Sequence, residues 1–486
     1  MPVSLLAQYN RVPGTLRHIH LSGICGTGMA SLAGMLKSMG YRVTGSDQNV
    51  YPPMSTFLRS LNIPVFEGYD PSHLTPVPDL VVVGNVIRKE NPEAQALARL
   101  QLPYVSFPQA VRHFALSGKQ SVVISGTHGK TTTSAIAAWI LEKGGMDPGF
   151  MIGGIPRNFE QNYKLGAGPW FVLEGDEYDT AFFDKGPKFL HYQPQVVILT
   201  SIEFDHADIY EDLDHVIQSF RKLIALVPRE GLIIANADDP VIVDQVKRAA
   251  CRVAPYSLGD KPHVPDTWRA VQGNVEDGLT RVNIFQGDQA WVELLTPLYG
   301  RHNISNLLST VVLARFLNIP RPDLKEALQT FQGVRRRQEV VGKRGGVTVL
   351  DDFAHHPTAV RETIRAVRDR YPGRLIAVFE PRSNSSRRNI FQAQYAASFD
   401  PADLVMIPKP ANTEMIPEAE RFSSPRLVQD LTQRGVEARY FDHTDDLLHD
   451  LVRTVKSGDI VLFMSNGGFD HLQQRLLANL PSTLGV

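Results

Sequence analysis

Residues 121–133 read Ser-Val-Val-Ile-Ser-Gly-Thr-His-Gly-Lys-Thr-Thr-Thr, and this pattern decides the fold. The apolar run at 122–124 predicts a short buried strand, Gly126 and Gly129 bound a turn, and a helix is expected to open near Lys130. Strand, glycine turn and helix with Lys-Thr at its start is the order of a phosphate-binding loop. Two residues separate Gly126 from Gly129, fewer than in the usual form of that loop. The chemistry survives the shortening. Glycines let backbone amides turn toward an anion, and the new helix adds unpaired N–H groups and the positive end of its dipole. Lys130 can reach the outer phosphates, and the Thr131 hydroxyl can ligate Mg²⁺. An ordinary glycine-rich turn has no use for this lysine and threonine run.

Upstream, residues 18–21 predict a strand, followed by Gly23-Ile24-Cys25-Gly26-Thr27-Gly28-Met29, a helix to about Met39, and a second strand ending at Ser46-Asp47. This is a βαβ unit with a glycine-rich first turn and an acid about twenty residues on. The glycine order is G-x-x-G-x-G, which departs from the dehydrogenase fingerprint but still admits a diphosphate by its backbone amides. Cys25 has no activating base in view and is expected to be a packed thiol. Asn85, at the end of another apolar run, suits a ligand contact and a turn former equally. Residues 1–16 are expected to be a loose polar extension.

Downstream, apolar runs end in Glu174-Gly175-Asp176-Glu177, in Glu203-Phe204-Asp205-His206 and in Asn236-Ala237-Asp238-Asp239. Open α/β sheets bind ligands at the carboxyl ends of their strands, so these polar ends are expected to converge beside Lys130 as a metal–nucleotide site. Residues 252–295 have the texture of hairpin strands. Asn303 and Asn306 share one face of a predicted helix, which exceeds what a cap requires. From about Gly333 a further α/β unit follows. Arg335-Arg336-Arg337 fits a solvated basic face, the commoner fate of charge runs, and later strands end in Asp351-Asp352, in Glu380-Pro381-Arg382-Ser383-Asn384 and in Ser465-Asn466.

With 486 residues, about three domains of ~150 residues are expected. A formal net charge of −1 argues against nucleic acid or an anionic membrane as partner. Two cysteines make neither a disulfide framework nor a zinc cluster. The apolar patch at 5–7 is too short for a signal-peptide core, and no apolar run approaches the ~20 residues that span a bilayer. A cytoplasmic protein is expected. Two phosphate-type turns and a third domain suggest phosphoryl activation of one substrate and its capture by another. A nucleotide-binding switch or a transport ATPase is the alternative of a different class, and a nicotinamide dehydrogenase on the first turn is disfavoured by its spacing.

The series GICGTGM (23–29), GSD (45–47), GTHGKTTT (126–133), EGDEYD (174–179), EFDHADIY (203–210), GRHNISN (300–306), VRRRQE (334–339) and DDFAHHPT (351–358) resembles the ATP-dependent Mur ligases, in order and over nearly the whole chain. The resemblance implies an α/β architecture of three domains: a Rossmann-like UDP-sugar domain (17–118), a P-loop ATPase-like centre (119–332) and a Rossmann-like amino-acid or peptide domain (333–486), after the extension at 1–16. It implies ATP as co-substrate, Mg²⁺ or Mn²⁺, and an acyl-phosphate intermediate. ATP would be held by Gly126, Thr127, His128, Gly129, Lys130, Thr131, Thr132, Asn303, Asn306, Arg337 and Asp352. Thr131, Glu174 and His206 would be metal ligands, and Lys130, His206 and Arg337 would act in catalysis. UDP-N-acetylmuramate would meet Gly23, Gly26, Thr27, Gly28, Asp47 and Asn85. Two branches share this first domain. One adds L-alanine, and the other adds the tripeptide L-alanyl-γ-D-glutamyl-meso-diaminopimelate recovered from the cell wall. Cys25 and Thr27, with residues 49–56, 380–384 and 464–469, look like the tripeptide-adding branch, and Arg382 and Asn384 are the expected contacts to peptide carboxylates.

Overall fold

The computed structural model describes residues 5–51, 54–207, 209–259, 264 and 266–483. Part of the stretch 49–56 (residues 52 and 53), Asp208 of the stretch 203–210, and residues 1–4 of the extension lie outside the described residues.

Among the described residues three large sheets carry the chain, beside a two-stranded ribbon of Asp179–Ala181 and Asp184–Pro187. The first is parallel and five-stranded, in the order Val65–Glu67, Arg42–Asp47, His18–Ser22, Leu80–Val83, Tyr104–Ser106. The strand order reverses beside His18–Ser22, which places the glycine turn at the crevice where such sheets take ligands. Gly23 has φ +84°, a left-handed conformation that suits glycine. The helix Thr27–Ser38 leaves the turn and buries its apolar residues from Met29 to Leu36.

The second sheet has ten strands. Its centre is parallel, with the loop strand Gln120–Ser125 between Pro194–Leu199 and Trp170–Gly175. The strand is buried from Ser121 onward, so its apolar run is continuous rather than alternating, as expected of a strand covered on both faces. The helix Lys130–Lys143 is buried on nearly all sides, and it packs against the helix Arg301–Phe316. The hairpin texture at 252–295 is an antiparallel extension, Trp268–Glu276, Leu279–Gln286 and Gln289–Thr296, added to one edge. The third sheet has six strands, all parallel except the edge strand Glu339–Arg344.

The extension is not loose where it is described. Asn10 Nδ2 donates to Tyr104 O and to Gln109 Oε1, both at 3.1 Å, and Leu5 and Tyr9 pack on the apolar cluster around Val81 and Leu97. Two apolar anchors and one bifurcated amide suffice to hold a segment whose composition looked solvated.

Beneath the glycine turn lies a buried polar network. Glu93, 1 % exposed, accepts hydrogen bonds from Ser22 Oγ and Ser46 Oγ at 2.6 Å each, and its other oxygen is 2.9 Å from His73 Nδ1. Burial works against the charge of Glu93, yet hydrogen bonds from His20, Ser22 and Ser46 hold its pKa below the ordinary carboxylate value. Such a group stabilises the fold at pH above its unfolded pKa, and that stability is lost as pH falls through the depressed folded value. Glu93→Ala is expected to cost about 3 kcal/mol, because it leaves buried donors unpaired. Urea unfolding of both proteins from neutral to acidic pH should show the gap narrowing as the pH falls.

Candidate active site

The phosphate loop is shaped by its neighbours. A Cβ on Gly126 would lie 2.2 Å from Thr200 Oγ1, and one on Gly129 would lie 2.5 Å from Asn306 Oδ1. Both glycines have positive φ, +142° and +83°. The amides of Thr127 and His128 are taken by Ser201, at 2.9 Å to its carbonyl and 3.0 Å to its hydroxyl. These two residues therefore do not turn their N–H groups to an anion. That task falls to the first turn of the helix, whose amides have no intrahelical acceptor.

Lys130 Nζ donates to Gly126 O at 2.6 Å and sits 3.1 Å from Glu177 Oε2. Glu177 also meets His206 Nε2, at 3.1 Å. Burial alone would lower the pKa of Lys130, but Glu177, Asp176 and Glu174 together raise it. Burial likewise opposes the charge of Glu177, and Lys130 with His206 overcomes it, holding the carboxyl down to about 2. His206, drawn down by burial, is raised by Glu177 and Asp205. The three form one chain of ammonium, carboxylate and imidazole. Glu177 is the residue that sequence reasoning passed over. It stood three places after Glu174 in an acidic run, and what turns it inward is Tyr210, whose hydroxyl donates to Glu177 O at 2.7 Å.

Thr131 Oγ1 donates to Glu174 Oε2 at 3.2 Å, and Glu174 Oε1 accepts the Gly153 amide at 2.6 Å. Burial first, then Asp176, raises the pKa of Glu174. A carboxylate so desolvated, beside a hydroxyl oxygen, is a fitting place for a hard divalent cation. The expected ligands divide, Thr131 with Glu174 and His206 with Glu177, and Lys130 spans the space between. The third acidic strand end does not join them. Asp239 accepts amides from Ile202, Val241 and Ile242, and Asp238 accepts from Ser257 and Leu258, so both stabilise turns.

The arginine triplet separates into three fates. Arg335 is exposed. Arg336 pairs with Asp351 at 3.1 Å and donates to the carbonyls of Ser465 and Gly467. Arg337 lies over the Phe353 ring, 4.8 Å from its centroid, and reaches across to Thr131 Oγ1 at 3.3 Å. Arg336 and Gln338, on either side of it, have φ of +60° and +49°. Side chains rarely adopt that conformation, and it persists here because the surroundings hold it. Asp352 supplies part of that hold: its Oδ2 accepts the Gln338 amide at 2.7 Å and its Oδ1 the Ala354 amide at 2.8 Å. Asn303 donates to Gln338 Oε1 at 2.9 Å, and Asn306 abuts Gly129. A cavity of about 190 Å³ adjoins them, lined in part by Thr132, Tyr299, Asn303, Phe331 and Arg337.

In the first domain, the Asp47 carboxylate accepts the amides of Cys25 at 2.8 Å and Asn49 at 3.0 Å, so it braces the glycine turn. Gly26, Thr27 and Asn85 are exposed at the same crevice, while Gly28 packs closely on Phe107. Burial, then Asp47, pushes the Cys25 thiol up to about 11, as a packed thiol requires. In the third domain Arg382 pairs with Glu380 at 3.3 Å, and Asn384 accepts from Arg387 at 2.8 Å.

A phosphate loop that draws an arginine from the next domain, under a third domain with its own polar strand ends, defines a ligase that activates one substrate for capture by another. The chain belongs to the Mur ligase family. Residues 18–119 match the Mur ligase family, catalytic domain, residues 124–314 the Mur ligase middle domain, and residues 336–467 the Mur ligase, glutamate ligase domain. The chain is 41% identical over 95% of its length, and 98% of the relative's, to the UDP-N-acetylmuramate–L-alanyl-γ-D-glutamyl-meso-2,6-diaminoheptandioate ligase of Escherichia coli K12. It is 32% identical, over 96% of its length and 94% of the relative's, to a UDP-N-acetylmuramate–L-alanine ligase of Syntrophus aciditrophicus. Among solved structures, a murein peptide ligase from Psychrobacter arcticus aligns with a TM-score of 0.72 at 33% identity, covering 97% of this chain and all of that one. The expected architecture of three α/β domains is borne out. Among the described residues no helix is long and apolar enough to cross a membrane.

Gly129→Ala is expected to cost about 2 kcal/mol, from its φ and from displacement of Asn306. Thermal unfolding should show this loss, and titration with ATP should show at least about tenfold weaker binding, which is about 1.4 kcal/mol.

Proposed function

We infer that this protein is an ATP-dependent carbon–nitrogen ligase that joins L-alanyl-γ-D-glutamyl-meso-diaminopimelate to UDP-N-acetylmuramate, returning cell-wall peptide to peptidoglycan synthesis. The observation that carries the reading is the greater identity to the tripeptide ligase than to the alanine ligase, over nearly the whole of both chains. ATP and a nucleotide sugar as substrates place the reaction in the cytoplasm. No nucleic acid or membrane enters it.

The chemistry that membership of the family implies fits the geometry. The muramate carboxylate attacks the γ-phosphorus of ATP, giving an acyl phosphate and ADP. The free amine of the peptide then attacks the acyl carbon, and the tetrahedral intermediate expels phosphate as the amide forms. Phosphoryl transfer asks the protein mainly for position and for countercharge. Lys130 provides countercharge at the β- and γ-phosphates, and Glu177 holds its ammonium in place. Gly126, Gly129 and Thr132 shape the loop and the first helical turn, while Thr127 and His128 brace the loop on Ser201. Arg337 steadies the transferring group from the third domain. Asn303, Asn306 and Asp352 set the position of Arg337 and of the nucleotide. Thr131 and Glu174 would hold one Mg²⁺ and His206 a second, and either ion would supply charge neutralisation at the phosphates. Gly23, Gly26, Thr27, Gly28 and Asn85 receive the UDP-sugar, with Asp47 bracing their turn. Arg382 and Asn384 face the peptide. We place the working divisions at 17–118 for the sugar nucleotide, 119–332 for ATP and 333–486 for the peptide, with 1–16 ahead of them.

With ATP, Mg²⁺ and UDP-N-acetylmuramate, ADP release is expected with the tripeptide and not with L-alanine. Release with L-alanine alone would assign the protein to the alanine-adding branch, and release independent of the sugar would favour an ATPase. Lys130→Ala should keep its circular dichroism, melt at a lower temperature because buried Glu177 loses its ammonium partner, and lose ligation. Near-normal turnover in that variant would remove Lys130 from the mechanism.

A further inference from the structure

Three side chains left over from the phosphate chemistry meet where the middle domain touches the third. His128 comes from the phosphate loop, Glu203 follows the strand Pro194–Leu199, and His356 caps the helix Pro357–Arg370. His128 Nε2 is 3.6 Å from Glu203 Oε2, and His356 Nδ1 is 3.8 Å from the same oxygen. One ligand atom from each of the three lies within 4.8 Å of the others, the only such group among the described residues. His356 is 7 % exposed, and Thr358 N–H donates to its Nδ1 at 3.3 Å. Nε2 of His356 and Nε2 of His128 are both buried without a hydrogen-bond partner. Buried imidazole nitrogens are seldom left so. The free nitrogen of His128 is the one beside the carboxylate, whereas the His356 nitrogen nearest it, Nδ1, accepts the Thr358 amide and must give up that bond to ligate.

We propose that His128, Glu203 and His356 form a site for a borderline transition metal, Zn²⁺ in the first place, that clamps the phosphate loop to the third domain. Two imidazoles and a carboxylate, with water in the fourth position, are an ordinary zinc set. Zinc bonds of about 2.0–2.1 Å require donors about 3.4 Å apart; the carboxylate oxygen stands 3.6 and 3.8 Å from the two imidazoles and all three ligand atoms lie within 4.8 Å of one another, so the side chains must draw together to hold the ion. The set is nitrogen-rich, unlike the oxygen pair of Thr131 and Glu174, so the two places select different ions. Zinc here joins residues of two domains and holds the third against the phosphate loop.

Co²⁺ is the probe, because its tetrahedral complexes absorb in the visible, and excess Mg²⁺ occupies the oxygen ligands. One tetrahedral Co²⁺ per chain is expected, displaced by Zn²⁺. The absorption should vanish in His356→Ala and in Glu203→Gln, each checked for its melting transition, and persist in His206→Ala. Calorimetry should show Zn²⁺ binding weakened in His356→Ala by more than the roughly 10–100-fold that loss of an outer-shell partner costs. No tetrahedral band at stoichiometric Co²⁺, an unchanged band in folded His356→Ala, or a band lost in His206→Ala would each overturn the proposal.

Discussion

The site depends on where one ammonium group is held. Lys130 is buried with its nitrogen between the Gly126 carbonyl and the Glu177 carboxylate. A lysine in such a place without a partner would give up its proton. Glu177 prevents that, and Glu177 is itself kept ionised by Lys130 and His206. Removing any one of the three leaves a buried charge uncompensated, which is far more costly than losing the contact. The strand order makes the arrangement possible. Parallel neighbours Trp170–Gly175 and Pro194–Leu199 bring their carboxyl ends to either side of the loop strand, so Glu174 and Glu177 arrive from one side and His206 from the other.

Much of this was legible in the chain. The loop announces itself because few uses other than phosphate binding require two glycines, a lysine and a threonine between a buried strand and a helix. The five-stranded parallel sheet follows from the βαβ spacing around Gly23 and Asp47. What stayed hidden depends on distant contacts. Glu177 is turned inward by Tyr210, which stands 33 residues away. The arginine triplet looks uniform in sequence, and only the positive φ values of Arg336 and Gln338 send Arg337 toward the loop while Arg336 binds its own domain. Asp238 and Asp239 resembled site carboxylates because a strand-end acid that caps a turn has the same local pattern as one that binds a metal. The N-terminal extension looked solvated because its few apolar residues are spread out, and packing rather than composition secures it.

The first domain has its own logic. Its glycine turn is held from below by Asp47, which accepts two amides, and the sheet beneath it by Glu93, which collects two serine hydroxyls and a histidine. Both carboxylates are engaged in holding the turn and the sheet below it. They make a rigid floor, so the amides and small side chains of the turn meet a substrate without reorganising.

The third domain reaches back over the second through Arg337 to Thr131, Thr358 to Glu203 and Ser385 to Asp205. These are single hydrogen bonds between side chains, the last of them buried, and they stand beside backbone bonds from Arg335 to Ile155 and from Arg157 to Gly333; Arg337 is held at Thr131 by one such side-chain bond. The phosphate loop therefore does not own its arginine. The loop by itself lacks one of its positive charges, and the third domain completes the set only where it is seated on the second. The charge at the site is then a property of the contact between two domains rather than of either domain alone.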